Sequence, residues 1–62
     1  MFELLNQKQA ARIAGLSPRT FEKMRYEDRG PKWRKIGRAV RYERKDLEDW
    51  LRSMPVVEPS GQ

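Results

Sequence analysis

The chain has 62 residues, with 14 Lys and Arg, 9 Asp and Glu, and neither Cys nor His. This length allows a single domain with a thin core. The lack of Cys excludes a disulfide framework, a thiolate metal site and a cysteine nucleophile, and the lack of His removes the commonest general base and metal ligand. The net charge of +5 favours a polyanionic partner. Because the sequence has no secretory signal and no long apolar run, we expect a cytoplasmic protein.

The first helix is predicted over residues 7–14. Asn6 is a favourable N-cap residue, and Gln9 three positions later completes a capping box. Gly15 is expected to end this helix in the left-handed conformation. The alanines of the helix allow another helix to approach closely.

The second helix is predicted from Pro18 to about Glu27. Ser17 is a favourable N-cap, and proline is favoured at the first helical position. Phe21 and Met24, three positions apart, are expected to face the first helix. Two short helices joined by a glycine-containing turn are typical of a helix-turn-helix, although a helical hairpin with no role in nucleic-acid binding has the same pattern.

A small β-hairpin is predicted after the break at Gly30-Pro31. Residues 33–36 and 40–42 form its strands, because the second run alternates apolar and basic side chains. Gly37 supplies the positive φ of a tight turn, and Arg38 is expected at its tip. The hairpin should pack on the helices through Trp33, Ile36 and Val40.

The last helix is predicted from about Lys45 to Ser53, with Leu47, Trp50 and Leu51 at apolar i, i+3, i+4 spacing. Its N-cap is poor, because neither Arg44 nor Lys45 is a usual capping residue. Residues 54–62 contain prolines and glycine without periodicity, so we expect a folded domain over residues 1–53 and a flexible tail over 54–62.

Several large side chains are assigned to packing rather than to a site. Trp33 and Trp50 are expected in the core, and Tyr26 and Tyr42 at its rim. Arg25 and Arg29 are interpreted as covering apolar surface with their aliphatic stems.

The acidic residues do not indicate an enzyme. Asp46, Glu48 and Asp49 could be a metal or acid–base cluster, but they are better explained as the dipole-matching first turn of the last helix. Ser17 is explained by its capping role. We therefore predict no catalytic residue, no cofactor and no metal.

The basic residues are concentrated in one stretch. Between residues 29 and 45 there are eight Lys and Arg against Glu43 alone. On the second helix, Arg19, Thr20 and Lys23 stand on the first two turns, where side chains of a helix in the major groove reach base edges. Glu22 on the same helix can accept a hydrogen bond from a cytosine amino group, which favours sequence-specific binding. The hairpin cations can hold the DNA backbone, or Arg38 can enter a minor groove.

The sequence also resembles a known family. The pair Leu5-Asn6, the pair Ala10-Ala11 and residues 15–20 (GLSPRT) resemble the helix-turn-helix of MerR-like domains. Gly30-Pro31, residues 35–38 and 40–42, and residues 46–51 (DLEDWL) are similar to the wing and closing helix of the same group. The short stand-alone members, which are phage and mobile-element excisionases and AlpA-type regulators, are the most similar.

The resemblance implies a winged helix-turn-helix, mainly α with a two-stranded wing and a C-terminal helix. It implies DNA contacts through a recognition helix and a wing. The predicted DNA-binding residues are Ser17, Arg19, Thr20, Glu22 and Lys23 on the recognition helix and Arg34, Lys35, Arg38 and Arg41 on the wing.

The function expected from the sequence and the resemblance together is that of an excisionase in a bacterial or phage nucleoid. Its partners would be double-stranded DNA, an integrase and neighbouring copies of itself, with no membrane and no small-molecule substrate. An AlpA-type small transcription regulator is the alternative of the same class. A protein–protein interaction module, such as an antitoxin or an anti-repressor, is the alternative of another class.

Overall fold

The computed structural model describes residues 2–59. Along the chain they form three helices and three strands: β1 (Leu4–Leu5), α1 (Gln7–Ala14), α2 (Pro18–Tyr26), β2 (Arg34–Ile36), β3 (Ala39–Glu43) and α3 (Arg44–Arg52). The predicted order of helix-turn-helix, two-stranded wing and closing helix is confirmed, and β1 is an addition to it.

The two capped helix starts have the geometry that the sequence predicts. The Asn6 side chain accepts from the backbone N–H of Gln9 at 2.8 Å, and the Gln9 side chain accepts from the backbone N–H of Asn6 at 2.9 Å. Ser17 Oγ accepts from the backbone N–H of Thr20 at 3.1 Å and so begins α2. Gly15 ends α1 with a φ of 75°. These local contacts hold the short turn between α1 and α2.

The strands form a three-stranded antiparallel sheet in the order β1-β3-β2. Ile36 pairs with Ala39, so Gly37 and Arg38 alone make the hairpin turn. Gly37 has a φ of 61°, as the first central residue of a type II′ turn requires. On the other side of β3, Leu5 pairs with Tyr42. The wing is therefore joined to the start of the chain as well as to the helices.

The core lies between the helices and the inner face of this sheet. Its buried side chains are Leu5, Ala10, Ala11, Phe21, Tyr42 and Leu47. The Phe21 ring lies 5.1 Å from that of Tyr42 and meets Trp50 edge-on at 6.1 Å. Tyr42 is only 1% exposed, so its assignment to the rim is wrong. It is buried because β3 is the central strand and this position faces Phe21.

Three other packing predictions are wrong. Ile36 is 52% exposed, because its cross-strand partner is Ala39 and both point to the outer face of the sheet, away from Val40 and Tyr42. Trp33 is 40% exposed, because it lies before β2 and outside the paired strand, and Tyr26 is 72% exposed at the end of α2. Val40 and Trp50 do pack against the core, as predicted.

The closing helix begins at Arg44, one residue earlier than expected. Its N-cap is Glu43, and within residues 2–59 no side chain makes a capping hydrogen bond there, which confirms the poor cap. Residues 55–59 have no helix or strand and are exposed. The flexible tail predicted for 54–62 stays a prediction, and its residues 60–62 lie outside the described residues. In the described part of the chain, no helix is long and apolar enough to cross a membrane.

Candidate nucleic-acid interface

The exposed face of α2 carries the predicted recognition residues. Phe21 is buried and fixes the rotation of the helix about its axis. At 100° per residue, Arg19 and Lys23 then lie on the side away from the core and Thr20 lies on the flank beside them, and all three are exposed. Within residues 2–59 neither Arg19 nor Lys23 makes an ion pair. Both cations are therefore available to an external anion or acceptor.

The two hydroxyl groups at the start of α2 are hydrogen-bonded to each other. Ser17 Oγ accepts from the Thr20 backbone and donates to Thr20 Oγ1 at 2.9 Å. This bond uses one of the two hydroxyl protons. The other proton can be donated outward, for example to a phosphate or a base acceptor.

Glu22 is the acidic member of the recognition face. Its carboxylate lies 3.9 Å from the guanidinium of Arg25, and its side chain is 45% exposed. At this distance the ion pair is weak, so the carboxylate keeps acceptor capacity toward solvent. A hydrogen bond to a cytosine amino group is compatible with that exposure.

The four predicted wing cations are in two different situations. Lys35 and Arg38 are exposed, and Arg38 lies in the two-residue turn. Arg34 instead donates to Glu43 Oε1 at 3.0 Å, and Arg41 donates to the carbonyl oxygen of Val40 at 2.8 Å. Contact with DNA through Arg34 or Arg41 would have to compete with these bonds, whereas Lys35 and Arg38 have no such competitor among the described residues.

Two basic residues that the sequence analysis did not assign to DNA lie on α1. Lys8 and Arg12 line an open cleft of about 430 Å³ together with Leu16 and Pro18. Their i, i+4 spacing on the polar face of a first helix is the signal that could have identified them.

Arg25 is largely buried, and it makes specific contacts in addition to covering apolar surface with its aliphatic stem. Its side chain is 12% exposed, and Nη2 donates to Gln7 Oε1 at 3.1 Å. Burial raises the pKa of Tyr42, and the nearby guanidinium of Arg25 partly lowers it again. Arg29, in contrast, is exposed and pairs with Glu27 at 2.6 Å. The sequence pattern did not distinguish these two arginines.

Of the three acidic residues assigned to the first turn of the last helix, only Asp46 lies there; the assignment is wrong for Glu48 and Asp49, because α3 begins at Arg44 and places them in its second turn. Asp46 lies in the first turn and Arg52 in the last, which suits the helix dipole. Among residues 2–59, no group of three or more His, Cys, Asp or Glu side chains is arranged to hold a metal ion.

Comparison with known proteins gives one family. The family model described as helix-turn-helix domain matches residues 4–55, which include both helices of the turn, the wing and α3. No curated protein matches the chain.

Proposed function

The chain belongs to the helix-turn-helix domain family, and we propose that it acts as a recombination directionality factor, or excisionase. As a member of this family it is a small DNA-binding protein. In the proposal it is a MerR-like winged member that binds and bends attachment-site DNA. It thereby promotes integrase-mediated excision of a mobile element and performs no chemistry of its own.

The observation that carries the proposal is that α2 and the wing each present cations that make no ion pair within residues 2–59. The start of α2 offers Arg19, Lys23 and the Thr20 hydroxyl, which suits base edges in the major groove. The wing turn offers Lys35 and Arg38, which suits phosphates or a narrow minor groove. One small domain can therefore contact the duplex at two places.

Contact at two places supports bending of the duplex. Bending costs on the order of 1–6 kcal/mol and must be recovered from contacts that only the bent duplex allows. A single domain of this size makes few contacts, so further contacts between copies bound side by side would contribute. An integrase and neighbouring copies on DNA are accordingly the proposed partners.

Selection of bound duplexes from a random DNA pool at near-physiological salt tests the DNA target. Enrichment of a short motif in direct repeats is the expected result, because copies bound side by side have the same orientation. An inverted repeat would favour an AlpA-type regulator that binds as a symmetric dimer. Binding that vanishes at that salt without enrichment would favour the interaction module.

Excision is then measured directly in a host that carries the element. Expression of the protein should increase the amount of DNA in which the element has been excised. Arg19→Ala should abolish this increase, and Arg52→Ala, which removes an exposed arginine of α3, should not. Altered transcription of the element's genes without more excision would contradict the excisionase proposal and support the regulator.

A further inference from the structure

We propose that Arg25 is a positioning residue that fixes the wing relative to the recognition helix. The inference rests on the proposed division of DNA contacts between α2 and the wing, and it goes beyond it by naming the residue that couples them. Arg25 lies in the last turn of α2, at the other end of the helix from Arg19 and Thr20, and its guanidinium lies 3.9 Å from the carboxylate of Glu22.

Toward the helices, Arg25 closes a chain of contacts across the turn. Its Nη2 donates to Gln7 Oε1 at 3.1 Å, and Gln7 Nε2 donates to the carbonyl oxygen of Pro18 at 3.3 Å. Gln7 begins α1 and Pro18 begins α2. One guanidinium thus connects the end of α2 with the starts of both helices.

Toward the wing, Arg25 holds the residue that precedes β2. Its guanidinium carbon lies 5.3 Å from the centre of the Trp33 ring and 4.8 Å from that of Tyr26, so two aromatic faces hold one planar cation. Residues 27–33 between α2 and β2 form no helix or strand, and Asp28 and Gly30 both have positive φ. The contact of Arg25 with Trp33 spans this irregular segment.

The burial of Arg25 does not by itself explain its presence as a stabilising contact. Nε of Arg25 is buried and has no hydrogen-bond partner among residues 2–59. A buried, incompletely paired charge costs free energy, and an apolar side chain of similar length would avoid that cost. The planar, multiply donating guanidinium does what an apolar side chain cannot, because it donates to Gln7 while it lies against the rings of Tyr26 and Trp33.

The test is a double-mutant cycle read out as the salt dependence of binding to a mixed-sequence duplex of about 20 base pairs, two helical turns. In the native chain, Arg38→Ala should lower the slope of log K against log salt by about 1. In the Arg25→Met background, Arg38→Ala should lower this slope by less than about 0.5. On a duplex that carries the selected site, the loss of affinity caused by Arg19→Ala should be the same in both backgrounds.

Arg29→Met is the matched control, because it removes the same charge from an exposed arginine. It should leave the effect of Arg38→Ala on the slope unchanged. Residual dipolar couplings of the free protein give a readout that needs no DNA. They should show the hairpin reoriented relative to α2 in Arg25→Met and unchanged in Arg29→Met.

The outcomes separate the two proposals. If Arg38→Ala lowers the salt slope equally with and without Arg25, the inference is overturned. It is also overturned if Arg38→Ala leaves the salt slope of the native chain unchanged, since there is then no wing contact to position. If Arg25→Met does not fold, as judged by circular dichroism, Trp33→Ala removes the wing-side partner and must give the same loss of coupling. A mixed-sequence duplex contains no attachment site, so failure of the excisionase proposal leaves this test unaffected.

Discussion

Arg19 stands on the first turn of α2, exposed and without an internal ion pair among the described residues. If it forms a bidentate contact with a base, Arg19→Ala should cost about 1–3 kcal/mol on the selected site and relax the sequence preference at one position. Titration of selected and mixed-sequence duplexes at one salt concentration measures both effects. Arg52→Ala, an equal loss of charge on α3, should change neither. Equal losses on both duplexes would identify Arg19 as a phosphate contact.

Tyr42 gives a prediction for alkaline pH. Burial raises the pKa of this phenol above its ordinary value of 10.0, and Arg25 only partly offsets the rise. The unfolded chain therefore releases the Tyr42 proton at lower pH than the folded chain does. The stability linked to the Tyr42 proton is fully present below the pKa of Tyr42 in the unfolded chain and is lost as pH rises through its pKa in the folded chain. The free energy of unfolding should therefore fall as pH rises between these two pKa values.

Urea unfolding of the native chain and of Tyr42→Phe, from about pH 8 to pH 11, checks this. Because the lysines also titrate in that range, the phenylalanine variant is the necessary reference. The native chain should lose stability more steeply than Tyr42→Phe above about pH 10. Parallel curves would contradict a raised Tyr42 pKa.

At the scale of elements, the wing depends on one backbone conformation. Gly37 has a φ of 61°, and a Cβ added there would meet nothing within 4 Å among the described residues. Gly37→Ala should therefore destabilise the fold by about 1–2 kcal/mol through backbone strain alone. Urea denaturation measures the change. Arg38→Ala, at the neighbouring position of negative φ, should stay within about 0.5 kcal/mol of the native chain. Equal stabilities of all three would show that the turn tolerates a side chain.

Elements whose contacts are local could be predicted from the sequence. The caps at Asn6 and Ser17, the end of α1 at Gly15 and the turn at Gly37 all use residues within four positions of one another. The strand β1 could not be predicted, because two residues have no measurable periodicity. It exists through pairing with Glu43 and Tyr42, almost forty positions away. The same strand order buries Tyr42.

In the candidate interface, too, local spacing predicts some features and contacts between distant residues determine the others. Helical spacing was sufficient to place Arg19, Thr20 and Lys23 on one exposed face. The sequence could not reveal that Arg34 pairs with Glu43, because that contact crosses two strands diagonally and depends on the register. Nor could it distinguish the buried Arg25 from an ordinary surface arginine, since its aromatic partner Trp33 comes from the segment before the wing.

At the scale of the molecule, the net charge of +5 and the basic stretch from 29 to 45 are arranged on a fold that can contact a duplex through α2 and the wing. If both elements bind at once, the bound duplex should be bent. Energy transfer between dyes at the two ends of a selected duplex should increase on binding. Arg38→Ala should reduce this increase at saturating protein, because the wing contact that recovers the bending energy is lost. The Arg52→Ala variant should bend DNA like the native chain. A straight duplex at saturation would mean that α2 binds the groove without the wing, which fits a simple regulator better than a factor that reshapes an attachment site.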